Sequence, residues 1–384
     1  MPKTTVQDVL AAARAQTGLD NYSDAYALGA LERLLDGYNT EARFTERGHG
    51  MAVKALVDAA ATRMKIDDYL SRHPELLDRP IDKPMFVFGL PRTGTTLTIN
   101  LLAADPARRS FLRWEIADPL PPATPGELHA GPRYEACQAQ CEMAIQYMPH
   151  IAAIHMEWAD SPTECQFLMT PSFVSQVYES QAYIPSYRHW FLHEADYHPA
   201  FAAHKRTLQV LQANTGGRWT LKNPWHPLFL DALWDTYPDA QLVMTHRDPA
   251  EVLGSACSLI KAVRPIYTDH EDLHAIGRDF VDTFEIMIQR MIAFREKHGW
   301  DVIHDVQYAD TLQDPIGVVR GIYAKFDEPF TAEAEAAMTA YMADNQQGKH
   351  GKHSYRLEDY GLSKDMVHER FADYIARFRI PVKA

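Results

Sequence analysis

The stretch that most restricts the fold is FVFGLPRTGTTL, residues 86–97. An apolar run ends at Gly89, a short polar loop follows, and a helix-like pattern begins near Thr96. This order predicts a buried strand, a tight loop and the first turn of a helix. Glycines let backbone N–H groups converge on an oxyanion, and the helix N-terminus adds partial positive charge. We favour an anion site over a simple turn, because glycines, an arginine and three threonines coincide here.

The loop has the glycine spacing of a nucleotide-triphosphate loop but lacks its lysine. Gly89 and Gly94 frame the pattern G-x-x-x-x-G-T-T, whereas the triphosphatase loop reads G-x-x-x-x-G-K-[ST]. Thr95 stands where the lysine would be, and the nearest cation is Arg92. The change favours a ligand with fewer negative charges at its transferring group than ATP has. The predicted ligand-binding residues of the loop are Arg92, Thr93, Gly94, Thr95 and Thr96.

Three further short apolar stretches predict strands, within residues 217–226, 240–249 and 299–312. Helical patterns lie between them. Short strands that alternate with helices are typical of a parallel sheet with helices on both faces. The sequence therefore predicts an α/β fold of the P-loop type, with ligands bound at the carboxyl ends of the strands.

The chain divides into two predicted parts. Residues 1–82 read as a helical extension that ends at the prolines of RPIDKP, and residues 83–384 form the α/β domain with a helical C-terminal region. A helical insertion rich in aromatic residues occupies about residues 130–215. Between residues 150 and 200 its aromatic side chains predict either a pocket for an apolar alcohol, phenol or sterol, or a core that packs helices.

Charge and cysteine content exclude several classes of function. The formal charge is -13, which argues against nucleic-acid binding but permits a small anionic ligand in a basic cleft. The cysteines form no close pair, so buried thiols are favoured over a disulfide or a metal site. With no apolar signal core and no apolar run long enough to span a bilayer, we expect a cytoplasmic protein. The four cysteines are Cys137, Cys141, Cys165 and Cys257.

A second predicted anion site follows the third strand, in THRDPAEVLGSA. Arg247 ends that strand, Pro249 is placed to begin a helix, and Ser255 comes eight residues after the arginine. Arginine offers a planar fork to phosphate oxygens, and serine offers one hydroxyl. The alternative is that Arg247 pairs with Asp248 or Glu251, and the sequence alone leaves both open.

Together the two loops resemble those of sulfotransferases that use 3′-phosphoadenosine 5′-phosphosulfate (PAPS), and the similarity covers roughly residues 84–315. In that family a loop like LPRTGTTL binds the 5′-phosphosulfate. An arginine and a serine that are eight residues apart bind the 3′-phosphate. The resemblance assigns the binding of the 3′-phosphate to Arg247 and Ser255. It also places Tyr308, in VQYADTLQDP, near the adenine. The implied cofactor is PAPS, with 3′,5′-bisphosphoadenosine as the product.

The resemblance also implies catalytic roles. Transfer to a hydroxyl needs acceptor deprotonation, alignment, and stabilisation of charge on the departing phosphate. The last role falls to Arg92 and to Lys222 in TLKNP. Many cytosolic relatives have a histidine base two residues after that lysine, where this chain has Pro224, so that base assignment cannot be carried over.

Two residues compete for the role of general base. Glu115 follows the loop at a distance similar to that of the glutamate base in tyrosylprotein sulfotransferases, and we favour it over His226. Its pKa would need to be raised by an apolar site. The structural alternatives are an ion pair of Glu115 with Arg113, a helix-terminal His226 satisfied by backbone, and a solvated Lys222 at the strand end.

The basic stretch QQGKHGKHSYRLEDYGL, residues 346–362, is either a loop that covers the nucleotide or a solvated linker. Cytosolic relatives use a basic, glycine-containing C-terminal loop for the 3′-phosphate, which by resemblance suggests Lys352. We therefore predict a sulfotransferase that acts on a small, apolar or aromatic hydroxyl acceptor. A P-loop kinase or NTPase and a non-catalytic nucleotide-binding relative are the alternatives. The sequence does not determine whether the chain forms a homo-oligomer.

Overall fold

The computed structural model describes residues 3–147, 157–345 and 355–382, and within them a parallel sheet forms the centre of the molecule. The strands lie in the order β2-β3-β1-β4-β5, and all neighbours are parallel. The predicted α/β class is therefore confirmed. The strands are β1 (Met85–Gly89), β2 (Arg108–Ser110), β3 (Arg218–Lys222), β4 (Gln241–His246) and β5 (Ile303–Gln307).

Helices cover both faces of the sheet and form the N-terminal and C-terminal regions. In the described residues they are α1 (Val6–Thr17), α2 (Ala25–Thr40), α3 (Glu46–Arg72), α4 (Thr95–Ala103), α5 (Trp114–Ala117), α6 (Pro132–Tyr147), α7 (Gln166–Met169), α8 (Val177–Gln181), α9 (Pro185–His193), α10 (His198–Leu211), α11 (Leu230–Thr236), α12 (Pro249–Val263), α13 (Leu273–His298), α14 (Tyr308–Gln313), α15 (Pro315–Lys325), α16 (Ala332–Asp344), α17 (Lys364–Arg370) and α18 (Ala372–Arg377).

Alternate side chains of the central strands enter two different cores, as the period of two in a strand requires. Met85 and Val87 pack with Val243 against α4, α15 and α16. Phe86 and Phe88 pack into a larger core that includes residues of α10, α12 and α13. The sheet is therefore covered on both faces, which explains why its strands read as continuous apolar runs.

The N-terminal helices belong to the same large core as the sheet. Thr5, Asp24 and Thr45 cap the starts of α1, α2 and α3 by accepting hydrogen bonds from backbone N–H groups of the first turns. Their buried faces join the core that contains Phe86 and Phe88. The domain boundary at residue 82 and the insertion at about 130–215 stay predictions.

The strand register brings the predicted ligand-binding segments to one edge of the sheet. Val87 of β1 lies beside Lys222 of β3 on one side and Val243 of β4 on the other. The phosphate loop follows β1, and Arg247 follows β4 directly. Because these strands are parallel and end together, the segments after them meet at the carboxyl edge.

Two negative findings apply to the residues described. None of the helices there has the length and apolarity needed to cross a membrane. In the same residues, no group of three His, Cys, Asp or Glu side chains is arranged to hold a metal ion. The four cysteines are free thiols. Cys141, Cys165 and Cys257 are buried, as predicted, whereas Cys137 is only partly buried.

Candidate active site

The phosphate loop is held in a shape that its glycines permit. Gly94 has a φ of 96° directly before α4, and a Cβ atom there would lie 2.7 Å from the ring of Tyr308. A Cβ atom on Gly89 would lie 2.4 Å from the carbonyl oxygen of Thr245. Both contacts are shorter than van der Waals packing allows. The loop therefore needs glycine at these positions for close approach to β4 and Tyr308.

The threonines of the loop have different surroundings. Thr93 is fully buried, its hydroxyl donates to the carbonyl of Leu90 at 2.7 Å, and it lies 2.6 Å from the hydroxyl of Thr245. Its side chain thus ties the loop to β4. Thr95 and Thr96, in the first turn of α4, line a cavity at this edge of the sheet. Their position suits contact with an anion at the helix N-terminus.

The two predicted anion sites touch each other. The Nε of Arg92 donates to the Oγ of Ser255 at 3.0 Å, and the Nη1 of Arg247 donates to the carbonyl oxygen of Arg92 at 3.0 Å. The guanidinium carbon of Arg247 lies 4.5 Å from the ring centroid of Tyr308. Arg92, Arg247 and Tyr308 line the same cavity of about 390 Å³, together with Gly94. This volume is within the range of small-molecule sites.

The electrostatics of this corner favour a bound anion. Burial lowers the pKa of Arg92, and the neighbouring charge of Arg247 lowers it further. An anion placed between the two guanidinium groups would relieve this repulsion. Arg247 also pairs with Glu251 at 2.8 Å, so the ion pair considered as an alternative is present. A phosphate at Arg247 would share the guanidinium with this carboxylate.

Lys222 is buried and paired, in contrast to the alternative of a solvated strand end. Its Nζ lies 3.0 Å from the Oε1 of Glu164, and the backbone N–H of Cys165 donates to the carbonyl of Lys222 at 2.8 Å. Glu164 is 8% exposed, lines the cavity and also accepts a hydrogen bond from the side chain of Gln166. Glu164 was not predicted from the sequence, although it is a carboxylate on the wall shared with Arg92.

Glu115 lies in a different environment from the one expected of a base. It is 1% exposed, its Oε1 accepts from the Nη2 of Arg109 at 2.6 Å, and its Oε2 accepts from the backbone N–H of Leu112 at 3.0 Å. It borders a separate void of about 20 Å³. The alternative partner Arg113 instead pairs with Glu157 at 2.9 Å. With both oxygens engaged and the cavity elsewhere, these contacts count against Glu115 as the base.

His226 is enclosed in the aromatic core. Its ring centroid lies 5.2 Å from that of Phe86 and 5.6 Å from that of Phe229. Neither of its ring nitrogens has a hydrogen-bond partner among the described residues, and it is not among those that line the cavity. Burial lowers its pKa well below the ordinary value. These surroundings count against His226 as the base. Its backbone groups are hydrogen-bonded at the start of the short turn His226–Leu228, in line with the structural alternative.

The aromatic residues predicted to line an acceptor pocket or to pack helices are found in both kinds of place. Of the aromatic residues between 157 and 200, Phe167 lines the cavity, whereas Phe173, Tyr178, Tyr187 and Phe191 are buried in the large core. Helix packing therefore explains most of that aromatic segment. Lys352 lies outside the described residues. The apolar wall of the cavity is completed by Val177, Trp225, Leu259, Ile260, Val263, Ile276 and Phe280.

Comparisons with known proteins agree on one family. The family model described as "Sulfotransferase family" matches residues 84–332. The solved structure of sulfotransferase STF9 from Mycobacterium avium superposes with a TM-score of 0.93 at 34% identity, over 99% of this chain and 98% of the other. Sulfotransferase STF1 from Mycobacterium tuberculosis H37Rv gives a TM-score of 0.86 at 35% identity, over 97% and 99% of the two chains.

A curated relative is more distant in sequence. The omega-hydroxy-beta-dihydromenaquinone-9 sulfotransferase Stf3 of Mycobacterium bovis is 24% identical over 316 residues, which cover 77% of this chain and 75% of that protein. The same enzyme from Mycobacterium tuberculosis matches to the same extent.

Proposed function

Because this chain belongs to the sulfotransferase family, we propose that it transfers a sulfuryl group from PAPS to a hydroxyl group of a small, apolar acceptor. One observation carries the choice of donor. Arg92 and Thr95 of the phosphate loop line the same cavity as Arg247 and Tyr308. A donor with phosphate groups at both its 5′ and 3′ positions would use both sets of residues at once.

The donor set fits this ligand chemically. Two arginines, two threonine hydroxyls and the N-terminus of α4 supply cations and N–H groups for oxyanions. Arg247 with Ser255 would bind the 3′-phosphate, and the ring of Tyr308 offers a face to the adenine. The phosphate loop would bind the 5′-phosphosulfate. The ring of Tyr308 also lies close to Gly94, so the adenine and the phosphate loop would both contact this tyrosine.

Glu164 is the general base that the geometry favours. Its carboxylate lines the cavity with Arg92, and Lys222 and Gln166 fix its position. The acceptor hydroxyl would lose its proton to Glu164 as its oxygen bonds to sulfur. The bond between sulfur and the bridging phosphate oxygen breaks, and its electron pair stays on the departing phosphate. Arg92 and backbone N–H groups of the loop would stabilise that charge.

Lys222 would act mainly through Glu164. Its ammonium group is fully buried and within 3.0 Å of the Glu164 carboxylate, and it is not among the residues that line the cavity. We therefore infer that it positions the base at the end of β3. The role of Lys222 at the leaving group, expected from the family resemblance, becomes secondary in this proposal.

An apolar acceptor is supported by the cavity wall and by the curated relatives. Beyond the phosphate loop the lining is formed by side chains such as Phe167, Trp225 and Phe280. The relatives' name specifies a hydroxylated menaquinone as their acceptor, which is a largely apolar molecule with a hydroxyl group. We propose the same chemical class for this chain, without assigning the same compound.

Calorimetric titration with 3′,5′-bisphosphoadenosine, AMP and ATP·Mg²⁺ tests the donor. The bisphosphate should bind most tightly, because only it engages both predicted anion sites. Equal or tighter binding of ATP would overturn the proposal and favour a kinase. Reverse transfer of the sulfuryl group from 4-nitrophenyl sulfate to the bisphosphate then tests turnover. The release of 4-nitrophenolate measures the rate of this transfer. Bisphosphate binding without turnover of this or any alcohol would favour the non-catalytic alternative.

A further inference from the structure

Four charged side chains line the cavity but have no part in the transfer described above. They are Glu179 on α8, Arg188 on α9, Arg264 in the short turn Arg264–Ile266, and Asp279 on α13. With both carboxylates ionised, their charges sum to zero. Such a cluster offers no excess charge to attract an ionic ligand.

Backbone carbonyls hold the two arginines in place. The Nη2 of Arg188 donates to the carbonyl of Asp279 at 2.7 Å and to the hydroxyl of Thr283 at 2.6 Å. The Nη2 of Arg264 donates to the carbonyl of Glu179 at 3.1 Å. The side chains of Arg188 and Glu179 approach to 3.5 Å. The cluster thus connects four elements, and these contacts fix its arginines before any ligand enters.

Three buried polar atoms of the cluster have no hydrogen-bond partner among the described residues. They are the Oε1 of Glu179, the Nε of Arg264 and the Nε of Arg188, which lies 3.5 Å from the Glu179 carboxylate. Glu179 is more than nine-tenths buried, and burial raises its pKa to about 7 against the opposing charge of Arg188. Buried polar atoms are almost always hydrogen-bonded, because leaving one unpaired is unfavourable. These three atoms belong to residues that line the cavity, so a polar group of the ligand could supply the missing hydrogen bonds.

We propose that this charged cluster (Glu179, Arg188, Arg264 and Asp279) binds an uncharged oxygen group of the acceptor, a second hydroxyl or a carbonyl remote from the hydroxyl that is sulfated. When both carboxylates are ionised the cluster has no net charge, which favours an uncharged group over an ionic one. Apolar residues on the same cavity wall, such as Leu259, Ile276 and Phe280, suit a hydrocarbon portion. The acceptor would then be an apolar molecule with oxygen at two separated positions. This inference rests on the proposed function, since it concerns the acceptor side of that site.

Matched pairs of α,ω-alkanediols and 1-alkanols of equal chain length test this inference. Each is titrated calorimetrically into the protein saturated with 3′,5′-bisphosphoadenosine. A wholly apolar cavity binds the alkanol better at every length, because the diol loses the hydration of its second hydroxyl. We expect the diol to bind about 10-fold tighter at one chain length, where its far hydroxyl reaches the cluster. Tighter alkanol binding at every length would overturn the inference.

Substitutions in the charged cluster test whether the preference for diols arises there. Glu179→Leu combined with Arg264→Met keeps the charge balance and should abolish the diol preference while alkanol binding is kept. Arg278→Gln is the matched control, because Arg278 is an exposed neighbour of Asp279 outside the cavity. Loss of the preference in the control as well would contradict a local subsite. If the double variant does not fold, the chain-length maximum in the unmodified protein remains decisive.

The outcome also separates this inference from the proposed function. If the protein binds the bisphosphate and turns over alkanols but shows no diol preference, only the acceptor subsite is contradicted. Failure to bind the bisphosphate would contradict the proposed donor. The acceptor subsite could then still be tested, because the alcohol pairs can be titrated into the free protein.

Discussion

The Nε of Arg92 donates a hydrogen bond to the hydroxyl of Ser255 across 3.0 Å. Arg92 belongs to the phosphate loop after β1, and Ser255 lies in α12 after β4. The contact joins the two segments that we assign to the opposite phosphate-bearing ends of one donor molecule. An incoming 3′-phosphate would therefore meet a serine hydroxyl already oriented by the loop arginine.

We expect Arg247→Gln to weaken binding of 3′,5′-bisphosphoadenosine by about 10- to 100-fold, the value of a charge-assisted hydrogen-bonding pair. AMP lacks the 3′-phosphate, so its affinity should change little. Calorimetry with both nucleotides measures the difference. Arg320→Gln, an exposed arginine paired with Glu335, is the control. Equal losses for both nucleotides would show that Arg247 does not contact the 3′-phosphate.

Glu164→Gln should keep bisphosphate affinity and lose turnover by about 10²- to 10⁴-fold, the usual contribution of a general base. The amide keeps the shape of the side chain and can still accept from Lys222, but it cannot take a proton from the acceptor. Turnover is measured by reverse transfer from 4-nitrophenyl sulfate. Nearly normal turnover in this variant would exclude Glu164 as the base.

The variant Glu115→Gln distinguishes the role of Glu115 from that of Glu164. Because Glu115 pairs with the buried Arg109, its loss should lower the free energy of unfolding by about 3 to 5 kcal/mol. The folded fraction should keep its specific activity. Urea denaturation and active-site titration with the bisphosphate measure these two quantities. A stable variant without turnover would restore Glu115 as the base.

The difference between these glutamates shows what the sequence could and could not predict. The loop from Gly89 to Thr96 was predictable because strand, turn and helix start are adjacent in the chain. The pairing of Glu164 with Lys222 joins residues 58 positions apart, and no local pattern indicates it. Glu115 looked suited to an apolar site because Trp114 and Ile116 flank it.

The strand β2 was not predicted from the sequence, and its Arg109 is the residue that pairs with Glu115. β2 has the sequence Arg108, Arg109, Ser110, which lacks any apolar pattern, yet all three residues are buried. Arg108 is satisfied by Tyr323, Thr220 and Glu328. Such strands depend on ion pairs with distant segments, so propensity and alternation cannot reveal them.

Gly94→Ala should abolish bisphosphate binding and destabilise the fold by about 1 to 3 kcal/mol. The position has a φ of 96°, and the added Cβ would overlap the ring of Tyr308. Gly50→Ala is the matched control, since Gly50 lies exposed inside α3 with nothing near its Cβ position. That control should stabilise the protein by about 0.5 to 1 kcal/mol. Unchanged nucleotide affinity in Gly94→Ala would mean that the loop does not bind the ligand.

His226→Phe should make the protein less sensitive to acid. Burial holds the pKa of His226 well below its ordinary value of 6.5, and burial lowers that of His204 to about 3. Below pH 6.5 the unfolded chain binds protons at both rings that the folded chain does not bind. Stability therefore falls as the pH drops, by up to about 1.4 kcal/mol per pH unit for each ring. Phenylalanine removes one of these contributions and fits the surrounding aromatic rings.

Urea denaturation at several pH values between 7 and 4.5 measures the slope of stability against pH. The slope of the His226→Phe variant should be shallower than that of the unmodified protein by about one ring's contribution. His189→Gln, which removes an exposed imidazole instead of a buried one, is the control. Turnover should also survive in His226→Phe, because the ring does not line the cavity. A folded variant that binds the bisphosphate but has lost turnover would instead make His226 the base and displace Glu164 from that role.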